Sequence, residues 1–175
     1  MVECQKCLDP TAFGLFLVAT VSFPLAMANL LKMDLNGEAL FTIGGMLILV
    51  VALLAYKSDS NFGFVVFGLV GFAVLFTGLN SGIVPAVADG WSNITFGIMF
   101  ILAIIWSIFA KTPKNLTLIL VTTALIFLVV GINSGYPDVF GDNGGYVLGV
   151  VALFNFLLNI YLAYALALEN KLPVF

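Results

Sequence analysis

Six stretches without a single Asp, Glu, Lys, Arg or His dominate this sequence, at 11–31, 39–56, 62–79, 94–110, 116–132 and 146–168. Each is 17 to 23 residues long. At about 1.5 Å per helical residue, that length crosses the ~30 Å hydrocarbon core of a bilayer with some tilt. In hydrocarbon every backbone N–H and C=O needs an internal partner, which leaves only helices and closed barrels. Barrel strands alternate polarity over about ten residues, and no stretch here does so. The expected fold class is therefore an all-α membrane protein with six transmembrane helices, built as one domain over 1–175. Composition agrees. The chain is 62% apolar and 9% charged, whereas a soluble domain carries about 25% charged residues. Six lysines and nine acidic residues cannot clothe 175 residues in water.

The breaks between stretches carry helix punctuation. Asp9-Pro10 reads as an N-cap followed by proline at the first helical position. Ser60-Asn61, Asn93 and Asn115 are the expected caps of the third, fourth and fifth helices. Pro24 is expected to kink the first helix by freeing the carbonyl of Thr20. Ala26-Met27-Ala28 looks like a signal-peptide cleavage site. However, Glu3 and Asp9 outnumber Lys6 ahead of a long apolar run, and five further spans follow, so a retained span is expected. All six positive charges are lysines. Lys6, Lys57, Lys111, Lys114 and Lys171 fall on one side of a six-span arrangement and Lys32 on the other. The positive-inside rule then places both termini in the cytoplasm. Asp34, Glu38, Asp89, Asp138 and Asp142 fall on the outer side, which mildly repels small anions.

The net charge of −3 and the lack of any basic run argue against a nucleic-acid partner. There is no Arg and no His, which removes the usual anion clamp and the commonest membrane proton relay. Cys4 and Cys7 form a CxxC pair. Two thiolates fill half a tetrahedral metal site and nothing else in the chain completes it, so an incidental thiol pair near the membrane is the plainer reading. No nucleophile–base pair or metal cluster exists, which points away from an enzyme and from any cofactor.

An internal repeat organises the spans. Gly78-Leu79-Asn80-Ser81-Gly82 recurs 53 residues later as Gly131-Ile132-Asn133-Ser134-Gly135, and Gly44 and Met46 recur at the same offset as Gly97 and Met99. Helices two–three and four–five thus read as copies of one hairpin. The first helix echoes the third, with Phe13-Gly14-Leu15 against Phe62-Gly63-Phe64 and Asn29 placed like Asn80, while the sixth, with Gly149, could open another copy. Three hairpins would set helices one, three and five around a common axis, and repeats in membrane proteins often enclose a pathway. The alternative is that Gly and Asn simply recur at helix ends.

Neutral polar groups are the remaining candidates for chemistry inside the spans. They are Thr20, Ser22, Thr42, Thr77, Thr95, Ser107, Thr117, Thr122, Thr123, Asn155 and Asn159. Most membrane Ser and Thr bond their own helix or a neighbour. Thr20, Thr77 and Thr122 are candidate pathway lining. Asn155 and Asn159, four apart on one helical face, are either interhelical glue or lining. Asn29, Asn80 and Asn133 sit near the outer ends of three related helices. They form either a polar mouth or plain helix terminations.

With these residues placed, the chain resembles the acetate uptake transporter family, which includes the succinate–acetate permeases. Asp9-Pro10-Thr11-Ala12-Phe13-Gly14-Leu15 stands where the family has N-P-A-P-L-G-L. Tyr56-Lys57-Ser58-Asp59-Ser60-Asn61-Phe62-Gly63 stands where bacterial members read Y-K-K-G-N-T-F-G. The six-span pattern matches over the whole chain. The motif residues are Asp9, Pro10, Gly14, Leu15, Tyr56, Lys57, Asn61, Phe62 and Gly63, with Asp9 replacing Asn, Asn61 standing opposite Thr and Ala55 replacing a Glu. The resemblance implies a homohexamer in the cell membrane, each protomer passing acetate and related short carboxylates through its own pore. That pore narrows at one hydrophobic residue on each of the first, third and fifth helices. Counting from the motifs gives Val18 and Val70, and counting back from Gly131 gives Val121. These lie 11, 10 and 12 residues before Asn29, Asn80 and Asn133, about three helical turns, so each pair shares a face. Bacterial members carry larger side chains there, so three valines imply a wider but still dry neck.

A bare carboxylate among valines, with no Arg or Lys beside it, meets a large desolvation cost, and the neutral acid a much smaller one. The expectation is thus a channel or transporter that moves acetate with its proton. Two alternatives stand beside it: a channel for small neutral solutes such as urea, amides or ammonia, and a non-transporting membrane scaffold.

Overall fold

The computed structural model describes residues 10–34, 37–80, 85–168 and 172–174. Cys4, Lys6, Cys7, Asp9, Ser81, Gly82 and Lys171 lie outside the described residues. Six α-helices account for most of the rest: α1 Thr11–Leu31, α2 Glu38–Lys57, α3 Asn61–Asn80, α4 Ala86–Phe109, α5 Lys114–Gly135 and α6 Gly144–Ala167. Two short 3-10 turns, Pro137–Val139 and Gly141–Asn143, join α5 to α6. All six helices are long and apolar enough to cross a membrane, and no strand occurs among the described residues.

Helix starts follow proline more than asparagine. Ser60 does cap α3, its Oγ accepting the Gly63 N–H at 3.2 Å. Pro10 is itself the cap residue of α1, one position before the helix, with its carbonyl accepting from Gly14 N at 3.0 Å. Asn93 and Asn115 are not caps. Extended Pro85 and Pro113 precede α4 and α5, so both asparagines fall inside helices, each 1% exposed. The fourth helix starts at Ala86, after Pro85, rather than at 94, and Gly90 lets this first part pack closely on α5. A Cβ at Gly90 would lie 2.7 Å from the Gly135 backbone. Helix ends consequently carry the charged groups Glu38, Lys57, Asp89 and Lys114, while the middles carry no Asp, Glu, Lys or Arg. Helix α1 stays helical through Pro24 to Leu31.

The repeat has a direct structural form. Helix α2 packs chiefly on α3, α4 on α5, and α1 on α6, so the third pair joins the first helix to the last. Within each pair one member is interior. Of each helix's most apolar stretch, 44% is buried in α1 and α3 and 50% in α5, against 28%, 33% and 39% in α2, α4 and α6. Helices α1, α3 and α5 therefore surround the common axis. Close backbone approach holds the pairs. A Cβ on Gly78 would fall 2.5 Å from Thr42 N, and one on Gly131 would fall 2.8 Å from Ile94 N. Phe41, whose carbonyl carbon would lie 2.9 Å from the Gly78 Cβ, is related to Ile94 by the 53-residue offset, so the two contacts differ by one residue at most. Small residues at such crossings let dispersion and packing replace the hydrophobic drive that lipid does not supply. A cluster of rings fills the space between α3, α4 and α5, with Phe100 stacked on Phe127 at 5.5 Å and Phe96 edge-on to Phe127 at 5.7 Å. The exterior of α2 and α4 is apolar, with Ile43, Met46, Leu53, Ile98, Leu102 and Phe109 all exposed, as lipid solvation requires.

Candidate functional site: two cavities and an amide network

Two cavities lie along the bundle axis. One, of about 210 Å³, opens toward the end that carries Lys57, Lys111 and Lys114, and is walled by the starts of α1, α3 and α5 and the end of α6. The other, of about 220 Å³, lies toward the opposite, acidic end. Both greatly exceed the ~15 Å³ that one water needs. Neither wall contains an ionisable side chain among the described residues. Three residues belong to both walls: Val18 on α1, Val70 on α3 and Thr123 on α5. They form the partition between the cavities.

Val121 is not part of this partition. It is half-buried and lines neither cavity. The physical reason is angular. Two residues rotate the side chain by about 200° around a helix, so a count that is two short lands on the opposite face. The signal that locates Thr123 was in the sequence, because the offset relating Gly78 to Gly131 also relates Val70 to Thr123.

The two motif segments meet at the lysine-end cavity. Leu15, Ser60, Phe62 and Gly63 all line it. Gly14 leaves room for Phe67, whose ring would lie 2.5 Å from a Cβ there. The Phe62 ring packs edge-on against Trp106 at 5.1 Å, and Tyr56 packs on Phe64 at 5.4 Å while staying exposed. Lys57 and Asn61 sit at the facing ends of α2 and α3. Between them Asp59 adopts φ +57°, at the position where the resembled motif has glycine. Asp is one of the few residues that tolerates this left-handed conformation.

A buried polar network ties α6 to the partition. Thr122 and Thr123 direct their hydroxyls to the Ile119 carbonyl at 3.0 and 2.8 Å. Because a carbonyl only accepts, both hydroxyl oxygens are left to accept from Asn155 Nδ2, at 2.8 and 2.9 Å. Asn155 Oδ1 then faces away from α5. It accepts from Ser22 Oγ at 2.8 Å and from Asn159 Nδ2 at 2.9 Å. Asn159 Nδ2 also donates to the Asn155 carbonyl at 2.8 Å, which fixes that amide's orientation without ambiguity. Asn155 lines the acid-end cavity and Asn159 the lysine-end cavity, so the network runs alongside the partition.

The remaining candidates separate. Thr77 lines the acid-end cavity while donating to the Ala73 carbonyl at 2.9 Å. Thr20 is exposed, bonded only to the Leu17 carbonyl at 2.7 Å, and lines neither cavity. Thr122 lines neither cavity and accepts from Asn155 Nδ2. Asn29, Asn80 and Asn133 line neither. Asn29 bonds its own Leu25 carbonyl at 2.8 Å and lies beside Gly145, while Asn133 packs on Gly144 at the start of α6. Asn93, read from the sequence only as a cap, lines the acid-end cavity.

No protein-family model matches the chain, and no curated protein matches its sequence. Among solved structures, the fold matches that of the bacterial acetate channel SatP with a TM-score of 0.84 at 20% sequence identity, over 95% of this chain and 98% of that one. At that identity the likeness is one of fold. This chain is an all-α, six-helix membrane protein with the architecture of an acetate channel.

Proposed function

We propose that the protein is a cell-membrane channel for acetate and related short carboxylic acids, which cross chiefly in the neutral, protonated form. One observation carries the reading: two uncharged cavities share a partition of Val18, Val70 and Thr123, in a fold like that of an acetate channel. A carboxylate anion passing two valines loses hydration with no cation to replace it, whereas the neutral acid loses far less. With no titratable group on either wall, the solute itself carries the proton. The reading includes assembly of six copies, as the family resemblance implies, and native mass spectrometry showing only monomers removes that part.

Acetate uptake into proteoliposomes, in excess of protein-free vesicles, tests the reading. Above the acid's pKa, protein-dependent uptake should fall toward tenfold for about each pH unit, following the neutral fraction. Uptake that stays flat between about pH 5 and about pH 8 excludes the protonated form. Val70→Trp fills the partition and should abolish flux, and unchanged uptake refutes the assignment of the neck. The same uncharged lining suits urea and other small amides as a second reading. Stopped-flow swelling that is faster in urea than in acetate would favour it.

A further inference from the structure

Each cavity is lined by one buried asparagine whose amide oxygen has no hydrogen-bond partner among the described residues. Asn159 is fully buried and its Nδ2 is committed to the Asn155 carbonyl and Oδ1, yet its own Oδ1 has no hydrogen-bond partner among the described residues. Asn93 is 1% exposed, and its Nδ2 donates to the Asp89 carbonyl at 2.9 Å. Its Oδ1 is likewise without a partner. In both cases a backbone carbonyl, which can only accept, fixes which end of the amide is nitrogen. The atom left over is an acceptor both times. An unsatisfied buried acceptor costs about 1–3 kcal/mol, so it calls for an explanation beyond packing. Asn159 lines the lysine-end cavity and Asn93 the acid-end cavity. One therefore stands on each side of the partition.

We infer that Asn93 and Asn159 read the proton on the solute, each accepting a hydrogen bond from the hydroxyl of a carboxylic acid in its cavity. This rests on the channel reading above and deepens it. A protonated acid has one O–H to donate, and an amide oxygen accepts it. The carboxylate has acceptors only and meets another acceptor in each cavity, with no donor cation to offset the repulsion. The pair therefore selects between two forms of the same molecule, before and after the valine partition. Selectivity follows donor capacity rather than carboxylate identity, so a small amide with N–H groups should occupy the same positions.

The test is protein-dependent uptake of radiolabelled acetate, with two neutral competitors of similar size. Acetamide, which donates N–H, should inhibit, and methyl acetate, which has no donor, should not. Asn93→Leu and Asn159→Leu remove the acceptors at nearly constant volume and should each lower uptake roughly tenfold. Asn93→Thr should recover most of the loss in Asn93→Leu, because its hydroxyl can donate to the Asp89 carbonyl and keep an accepting lone pair. Should Asn159→Leu fail to assemble, Asn93→Leu still decides, since Asn93 bonds only its own helix. Equal inhibition by the two competitors, or wild-type uptake in Asn93→Leu, overturns the inference while leaving the channel intact. Wild-type protein with no uptake above empty vesicles overturns the channel reading and this inference with it.

Discussion

Helices α3 and α5 seat on their outer partners in the same way but wall the axis differently. Gly78 on α3 lies against Phe41–Thr42 of α2, and Gly131 on α5 lies against Ile94 of α4. Carried along the same 53-residue offset, Val70 becomes Thr123. Val70 offers the axis only methyl groups. Thr123 presents the same shape with a hydroxyl that Asn155 Nδ2 reaches at 2.9 Å. The contacts that set backbone separation were kept in both copies, while the axial position was free to change. A repeat therefore fixes the distance between helices more tightly than it fixes what they present to a pathway.

That comparison can be broken at several strengths. The largest effect is expected from Gly78→Val and Gly131→Val. Each drives a branched side chain into a neighbouring backbone and should yield no folded protein on detergent extraction, whereas Gly68→Ala, with Ala52 3.9 Å away, should be neutral. If one glycine tolerates valine and the other does not, the two seats are not equivalent. Next is Asn155→Leu, which removes the amide that Ser22, Thr123 and Asn159 share and leaves each of them only a backbone carbonyl partner. It should lower stability by about 2–3 kcal/mol, read as a drop in thermal midpoint in detergent, with no counterpart on the α3 side. Thr123→Val makes the two copies alike. Asn155 keeps Thr122, so the loss should be only about 1 kcal/mol, and the uptake of neutral acid should persist. Smallest are Val121→Phe and Thr20→Val. Both lie off the cavities, and uptake should stay within about twofold of wild type, because surface changes rarely move stability beyond ~0.5 kcal/mol. A large loss from Val121→Phe would return that residue to the pathway.

Much of the fold was readable in the sequence because lipid imposes few solutions on long uncharged stretches. The six helices and the interior place of α1, α3 and α5 followed from apolar length and from the Gly-x-Asn-Ser-Gly repeat. The start of α4 did not. Asp89 and Gly90 end the apolar run in composition, but Gly90 is the residue that lets the helix continue against α5. The site was legible in part. Of the residues shared by the two cavity walls, Val18 and Val70 could be counted from the motifs, while the count on α5, started from its far end, gave Val121, half a turn from Thr123. Asn93 was hidden for a different reason. Asparagine caps helices so often that one following a charged, glycine-containing segment reads as a cap, and only tertiary burial shows otherwise.

The hydroxyl of Thr123 has one hydrogen, and the Ile119 carbonyl holds it at 2.8 Å. On its two sides stand Val18 and Val70, which have none to offer. A proton hopping along a chain of waters needs, at every step, a group that can both take and give. At this level of the bundle no side chain on the axis can do so. In the pathway proposed above, the partition is therefore an insulator toward bare protons and ions while remaining permeable to a small uncharged molecule. A membrane carrying many copies of such a protein could keep its voltage while exchanging a weak acid freely.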